Sequence, residues 1–373
     1  MSKRLLLASP HMSDEGYELE YVQDAFNKNW IAPLGENVSR FEEALAGYTG
    51  AECTVALSSG TAALHLAMIL AGVRPGDRVF CQSLTFSASA NPVAYVGAEP
   101  VFIDSERETW NMDPEALKRA FKMYGKPKAV VVVHLYGNPA KIDRIAGICR
   151  DEGVPLIEDA AEALGSEYCG RKCGTFGEFG ALSFNGNKII TTSGGGMLLC
   201  HNKEAAAHAL KLATQAREPF PWYQHEEIGY NYRMSNICAG IGRGQARVLS
   251  LRVSQKKAIY ERYCWGLAGL PIEMQPYLEG AEPNHWLSSL LIDKGCAMTP
   301  AKMLEIMNDN DIEGRHLWKP MNLQPVFAGT GFVGVEEKPV CDDLFERGVC
   351  LPSDTKMSMD DVDRVCGVIR GMF

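Results

Sequence analysis

KAVVVVHLYGNPAKIDRIAGICRDEGVPLIED, residues 128–159, holds two apolar runs with a helical pattern between them. The runs KAVVVVHLY (128–136) and PLIED (155–159) are apolar without alternation, as strands covered on both faces are. AKIDRIAGICRDEG between them repeats its apolar residues at helical spacing and stops at Gly153, a residue typical of helix ends. Strand, helix, strand in this order predicts a crossover between parallel strands.

The same alternation extends in both directions. CTVAL (53–57), RVFCQ (78–82), EPVFID (99–104), GALSF (180–184) and GGMLLC (195–200) complete a set of seven strand segments. TAALHLAMILAGV and Asp113 with EALKRAFKMY read as helices between them. The pattern changes after about residue 245. RVLSLRVSQKKAIYERYCWGLAGL reads as one long helix. Short strands near HWLSSLLIDK and GVCLP then mix with helices at TPAKMLEIMNDN and SMDDVDRVCGVIRGMF. The expectation is an α/β protein: a large domain, 1–245, with a mainly parallel seven-stranded sheet, and a smaller C-terminal α+β domain, 246–373.

A chain of 373 residues can bury such a core. Its net charge of -9 and the lack of a dense Lys/Arg run argue against nucleic acid or an anionic membrane as the main partner. The 12 cysteines are scattered, with no C-x-x-C, so reduced structural thiols are expected rather than zinc or disulfides, and no metal site is predicted. The start MSKRLLLASPHMSDEG has too short an apolar run for a signal sequence, and no stretch is long enough to span a bilayer. The expected compartment is the cytoplasm.

Three strand ends carry residues that suit chemistry. SSGTAALHLAM (58–68) sits where a strand becomes a helix: Gly60 allows a tight turn, and Ser59, Thr61 and the first helical N–H groups would face an anion. Plain N-capping by Ser59 is the competing reading. A nucleotide-triphosphate loop is excluded, because Lys188 does not follow Gly186 directly, and no G-x-G-x-x-G follows the first strand. In IEDAAEALGS (157–166), Asp159 ends an apolar strand, where it either binds a positive ring nitrogen or caps a following helix, with Glu162 one turn further on. In SFNGNKIITTSGGGML (183–198), Lys188 stands between Ser183 and the glycine run 194–196. A lysine there can serve as a nucleophile toward a carbonyl. An anion-binding turn, an acid for a ring nitrogen and a lysine for an aldehyde together point to pyridoxal 5'-phosphate.

With these residues in view, the chain resembles the DegT-type nucleotide-sugar aminotransferases, a branch of the aspartate-aminotransferase-like, fold type I pyridoxal-phosphate enzymes. The match runs nearly end to end through NWIAPLGENVSRFE, SSGTAALHLA, LTFSASANPVAYVGAEPVFID, HLYGNPAKID, IEDAAEALGS, GTFGEFGALSFNGNKIITTSGGGML, ATQAR, YNYRMSNICAGIG, LWKPMN and CLPS. The resemblance implies that Lys188 carries the cofactor and moves the proton, and that Asp159 holds the pyridine nitrogen. It implies that Thr61, Ala62 and Ser183, with Ser59 and Gly60 beside them, hold the phosphate. Phe86 matches the aromatic that stacks on the ring, although its residue type alone favours a core position. Asn231 matches a residue reaching the phosphate of a neighbouring subunit, which implies a homodimer with shared sites. Glu162 matches a position near the ring oxygen where relatives more often carry Gln or His.

FNGNK with EDAAEALGS and ATQARE is similar to the 4-aminotransferases that make precursors of UDP-N-acetylbacillosamine for bacterial glycans. This implies transfer of an amino group from L-glutamate to C4 of a UDP-linked 4-keto sugar. Arg233, Arg315, His316 and Trp318 are the candidate substrate residues, because arginine suits a diphosphate; a surface salt bridge is the alternative for each arginine. A GDP- or dTDP-linked 4-keto-6-deoxy sugar is the runner-up substrate. A cofactor-binding regulator is the reading from a different class, and retention of Lys188 with Asp159 disfavours it.

Overall fold

The computed structural model describes residues 3–373. Seven strands form where the apolar runs predict them: β1 Cys53–Leu57, β2 Arg78–Gln82, β3 Glu99–Ile103, β4 Ala129–Val133, β5 Leu156–Asp159, β6 Phe179–Ser183 and β7 Gly196–Cys200. An eighth, Gly331–Val333, returns from the C-terminal region and pairs in parallel with β3. That short glycine-led segment carries no strand signal of its own. The sheet order is β1-β7-β6-β5-β4-β2-β3 with Gly331–Val333 at the edge. All pairings are parallel except those of β7, which runs antiparallel to both neighbours.

Helices cover both faces, which is why β4, AVVVV, is apolar and buried throughout. Each such buried aliphatic side chain contributes about 1.5–3 kcal/mol. The helices are α1 Tyr17–Asn27, α2 Glu36–Thr49, α3 Gly60–Leu70, α4 Ser87–Tyr95, α5 Pro114–Tyr124, α6 Ile142–Glu152 and α7 Lys203–Ala213. Local chemistry sets their ends. Asp113 accepts from the Glu115 N–H before Pro114 opens α5, and Gly153 closes α6 in the left-handed region at φ 61°.

Helix α8 spans Asn236–Gly266, starting behind the Ser235 cap. It therefore begins earlier than its periodicity suggests, and the boundary expected at 245/246 falls inside one continuous helix. Its first half packs on α1 and α2, and its second half on the C-terminal helix, Met359–Arg370. The C-terminal region builds an antiparallel sheet from β8 Ile272–Met274, β9 Ser288–Ile292, β10 Arg315–His316 and β11 Gly348–Leu351, in the order β8-β9-β11-β10. Its core joins Leu290, Val349, Val362 and Ile369 to Ile259 and Tyr263 of α8. Among the described residues, no helix is long and apolar enough to cross a membrane.

Candidate active site

The carboxyl ends of β5 and β6, the start of α3 and the C-terminal sheet enclose a cavity of 530 Å³. This is the edge of an open α/β sheet at which ligands bind. Its floor includes Asp159, whose carboxylate accepts from Ser89 Oγ at 2.5 Å and from the Ala161 N–H at 3.1 Å. Residues 160–166 form turns, so there is no helix for Asp159 to cap, which was the alternative to a ring-nitrogen role, and its carboxylate is directed by Ser89 of α4 and the turn.

The turn into α3 works as two devices at once. Ser59 is an N-cap: its Oγ accepts from the Ala62 N–H at 3.0 Å. Ala62, expected to bind phosphate, thus has its amide already engaged, and it does not line the cavity. The Gly60 and Thr61 amides, at positions that have no partner within the helix, line the cavity with Ser183. A Cβ on Gly196 would lie 2.2 Å from the Ser59 carbonyl carbon, so only glycine lets β7 back this turn so closely. A Cβ on Gly195 would meet Thr192 Oγ1 at 2.2 Å, so glycine there lets the segment after the lysine loop pack closely.

Lys188 is held on the loop after β6. Its Nζ lies 3.7 Å from Glu162 Oε1 and 3.9 Å from the centre of the Trp286 ring. Both members of the pair are shielded, with side-chain exposures of 11% and 4%. Burial pushes the Lys188 ammonium below the usual lysine range, against the opposing pull of Glu162 and then Asp159. Burial likewise pushes the Glu162 carboxyl up, with Lys188 opposing and Asp159 reinforcing that shift. The other Glu162 oxygen accepts from the Tyr136 N–H at 2.6 Å. Tyr136 is buried with φ 57°, a strained conformation of the kind that clusters at functional sites.

Phe86 departs from the core position its residue type favours. It is 54% exposed, ends the β2–α4 connection and leans over the cavity, with its ring 5.4 Å from that of Trp318. Trp318 donates its backbone N–H to Tyr136 Oη at 3.0 Å. Arg315 and His316 also line the cavity. Arg315 is exposed and paired with Glu313 at 2.9 Å, while His316 Nδ1 is buried without a hydrogen-bond partner.

Arg233 is not part of this cavity. Its guanidinium is buried against Glu42 at 2.6 Å and donates to the Ala56 carbonyl, so its charge is consumed behind β1. Asn231 is exposed and also lies outside its own chain's cavity, bridging to Thr214. Tyr136, Ser89 and Trp286 also belong to the site. Tyr136 lies in the quoted HLYGNP and Trp286 in HWLSSLLIDK, yet nothing local in either marks a site residue.

These donors fit pyridoxal phosphate: free helix-start amides with a glycine-backed turn for the phosphate, a buried carboxylate for the ring nitrogen, a solvent-facing aromatic ring, and one shielded amine. Comparison with known proteins agrees. The profile of the DegT/DnrJ/EryC1/StrS aminotransferase family matches residues 13–370. EpsN of Bacillus subtilis (strain 168), named as a pyridoxal phosphate-dependent aminotransferase, is 49% identical over 379 residues, covering 100% of this chain and 97% of that protein. GDP-perosamine synthase of Vibrio cholerae is 34% identical over 362 residues, covering 96% and 97%. The crystal structure of the aminotransferase TlmJ from Streptoalloteichus hindustanus superposes with a TM-score of 0.90 at 31% identity, covering 99% of this chain and 98% of that one.

Proposed function

Because this chain belongs to the DegT/DnrJ/EryC1/StrS aminotransferase family and is a pyridoxal-phosphate-dependent sugar aminotransferase, we propose that it moves the amino group of L-glutamate to C4 of UDP-2-acetamido-2,6-dideoxy-4-keto-hexose. The product is the UDP-4-amino sugar that precedes UDP-N,N'-diacetylbacillosamine in glycan synthesis. The observation that carries the transfer reaction is the shielded amine of Lys188, lining the cavity beside Glu162 at the sheet's carboxyl edge.

Bound in this site, the cofactor supplies an electron sink for the carbon that loses its proton. The chain's own residues do the rest. Asp159, oriented by Ser89 and the Ala161 amide, holds a proton at the ring nitrogen. The Gly60 and Thr61 amides and Ser183 bind the phosphate at the start of α3. Lys188, its basicity lowered by burial, takes the α-proton of glutamate and later delivers a proton to sugar C4. Glu162, anchored by the Tyr136 amide, is placed to hold or release the compensating proton. Phe86 and Trp318 shield one side of the reacting atoms from water.

Two observations support a homodimer with shared sites. Asn231 is exposed away from its own cavity, and Phe26, Trp30, Ile31 and Leu34 are exposed apolar side chains close together in sequence. Sequence likeness in FNGNK, EDAAEALGS and ATQARE supports the UDP-linked sugar, whereas the similarity to GDP-perosamine synthase favours a GDP-linked one. Turnover with L-glutamate and a panel of UDP-, GDP- and dTDP-linked 4-keto-6-deoxy sugars decides between them. The UDP-2-acetamido sugar is expected to give the highest kcat/KM, and a GDP- or dTDP-sugar that outperforms it would replace it as the substrate.

A further inference from the structure

The segment Asn284–His285–Trp286 carries the ring that faces Lys188, and side chains rather than strand pairing fix its course. Asn284 donates Nδ2 to the Glu162 and Leu164 carbonyls at 2.8 and 2.9 Å, and its Oδ1 accepts from the Trp286 N–H at 2.8 Å. His285 sits at φ 50°, where a residue other than glycine persists only if its surroundings hold it. Its ring stacks on Tyr260 of α8, with centroids 3.9 Å apart and planes 15° from parallel.

One turn earlier on α8 lies Lys256, buried at 3% exposure. Its Nζ donates to the Trp286 carbonyl at 2.9 Å. The indole beyond that carbonyl then makes two contacts with the catalytic loop. Nε1 donates to the Asn187 carbonyl at 2.6 Å, and the ring face lies 3.9 Å from Lys188 Nζ. Burying an amine so deeply is costly, and burial pushes Lys256 down to about 7. The buried amine's donor is satisfied by one contact, the carbonyl of the residue under Lys188.

We propose that Lys256 is a positioning residue, which fixes the Trp286 indole against Lys188 through the Trp286 carbonyl. The inference rests on the reading of Lys188 as the reacting amine. Lys256 itself touches neither the amine nor the cavity. A ring face 3.9 Å from an ammonium steers that group through its quadrupole and excludes water from one side of it. Displacement of the indole would move both the Asn187 carbonyl and the lysine that follows it.

The test compares Lys256→Met, which keeps the length and removes the donor, with Lys256→Arg, which keeps a donor. The readouts are kcat, KM for L-glutamate, and the visible circular dichroism of the bound cofactor, which reports how asymmetrically it is held. Lys256→Met is expected to lower kcat about tenfold, with KM within about twofold, and to lose about half of the dichroic signal per bound cofactor. Lys256→Arg is expected to restore both. The double variant Lys256→Met with Trp286→Phe should lose no more than the worse single variant, because both changes act on one contact chain. Wild-type kcat and dichroism in Lys256→Met, or additive losses in the double variant, would overturn the proposal. Should Lys256→Met not fold, an Arg variant with normal thermal midpoint but without normal dichroism would also overturn it. Lys188→Ala separates the two readings: full turnover in that variant would sink the role of Lys188 itself, whatever Lys256 does.

Discussion

Lys188 Nζ lies 3.7 Å from Glu162 Oε1, and burial holds each group away from its ordinary titration range while the pairing pulls each part of the way back. The two shifts oppose one another in sign. Burial lowers the lysine, the carboxylate partly restores it, and the lysine in turn restrains the rise of the carboxyl.

Glu162→Gln removes the charge that supports the Lys188 ammonium. Lys188 should then fall further below the usual lysine range, so more of it is a neutral amine at a given pH. Because capture of pyridoxal phosphate needs the neutral amine, its half-maximal pH in cofactor-free protein should move down. Stopped-flow absorbance across pH reads this. An unchanged or raised midpoint would show that Glu162 does not set the basicity of Lys188.

Asp159→Asn keeps an oxygen for Ser89 Oγ and removes the negative charge. Thermal stability should change little, while turnover falls by about 10²–10³-fold through loss of electrostatic support at the ring nitrogen. Steady-state kinetics beside a melting curve separates these effects. Retained turnover would rule out Asp159 as the ring-nitrogen partner.

Gly196→Ala places a methyl group 2.2 Å from the Ser59 carbonyl carbon. The start of α3 must move, at a cost of about 1–3 kcal/mol. Cofactor retention through gel filtration should fall along with stability in urea. A variant that destabilises without releasing cofactor would separate the glycine from the phosphate turn.

Arg233→Ala leaves Glu42 without its buried partner. The expected result is destabilisation of about 3 kcal/mol with KM for the sugar nucleotide unchanged. A raised KM in stable protein would return Arg233 to the list of substrate residues.

Much of the fold could be read from local pattern. Strands such as 129–133 are apolar because both sheet faces are covered, and helix ends announce themselves through Asp113 or Gly153. Lys188, Asp159 and the turn at 58–61 stood out for a similar reason, since strand ends in such sheets are where chemistry gathers. The site's second set of residues could not be found this way. Tyr136 and Trp286 look like core aromatics in sequence, and each acts through contacts with residues far along the chain. Phe86 looked like core for the same reason and is exposed.

By itself, then, the sequence determined the order of elements, the parallel character of the sheet and the three strand-end positions, because these depend on periodicity and on neighbours within a few residues. Tertiary structure alone decided that Arg233 is spent on Glu42, that Gly331–Val333 closes the sheet edge, and that Lys256 reaches the carbonyl of Trp286. Those outcomes depend on which distant groups are brought within hydrogen-bonding range and shielded from water, and no local pattern encodes that distance.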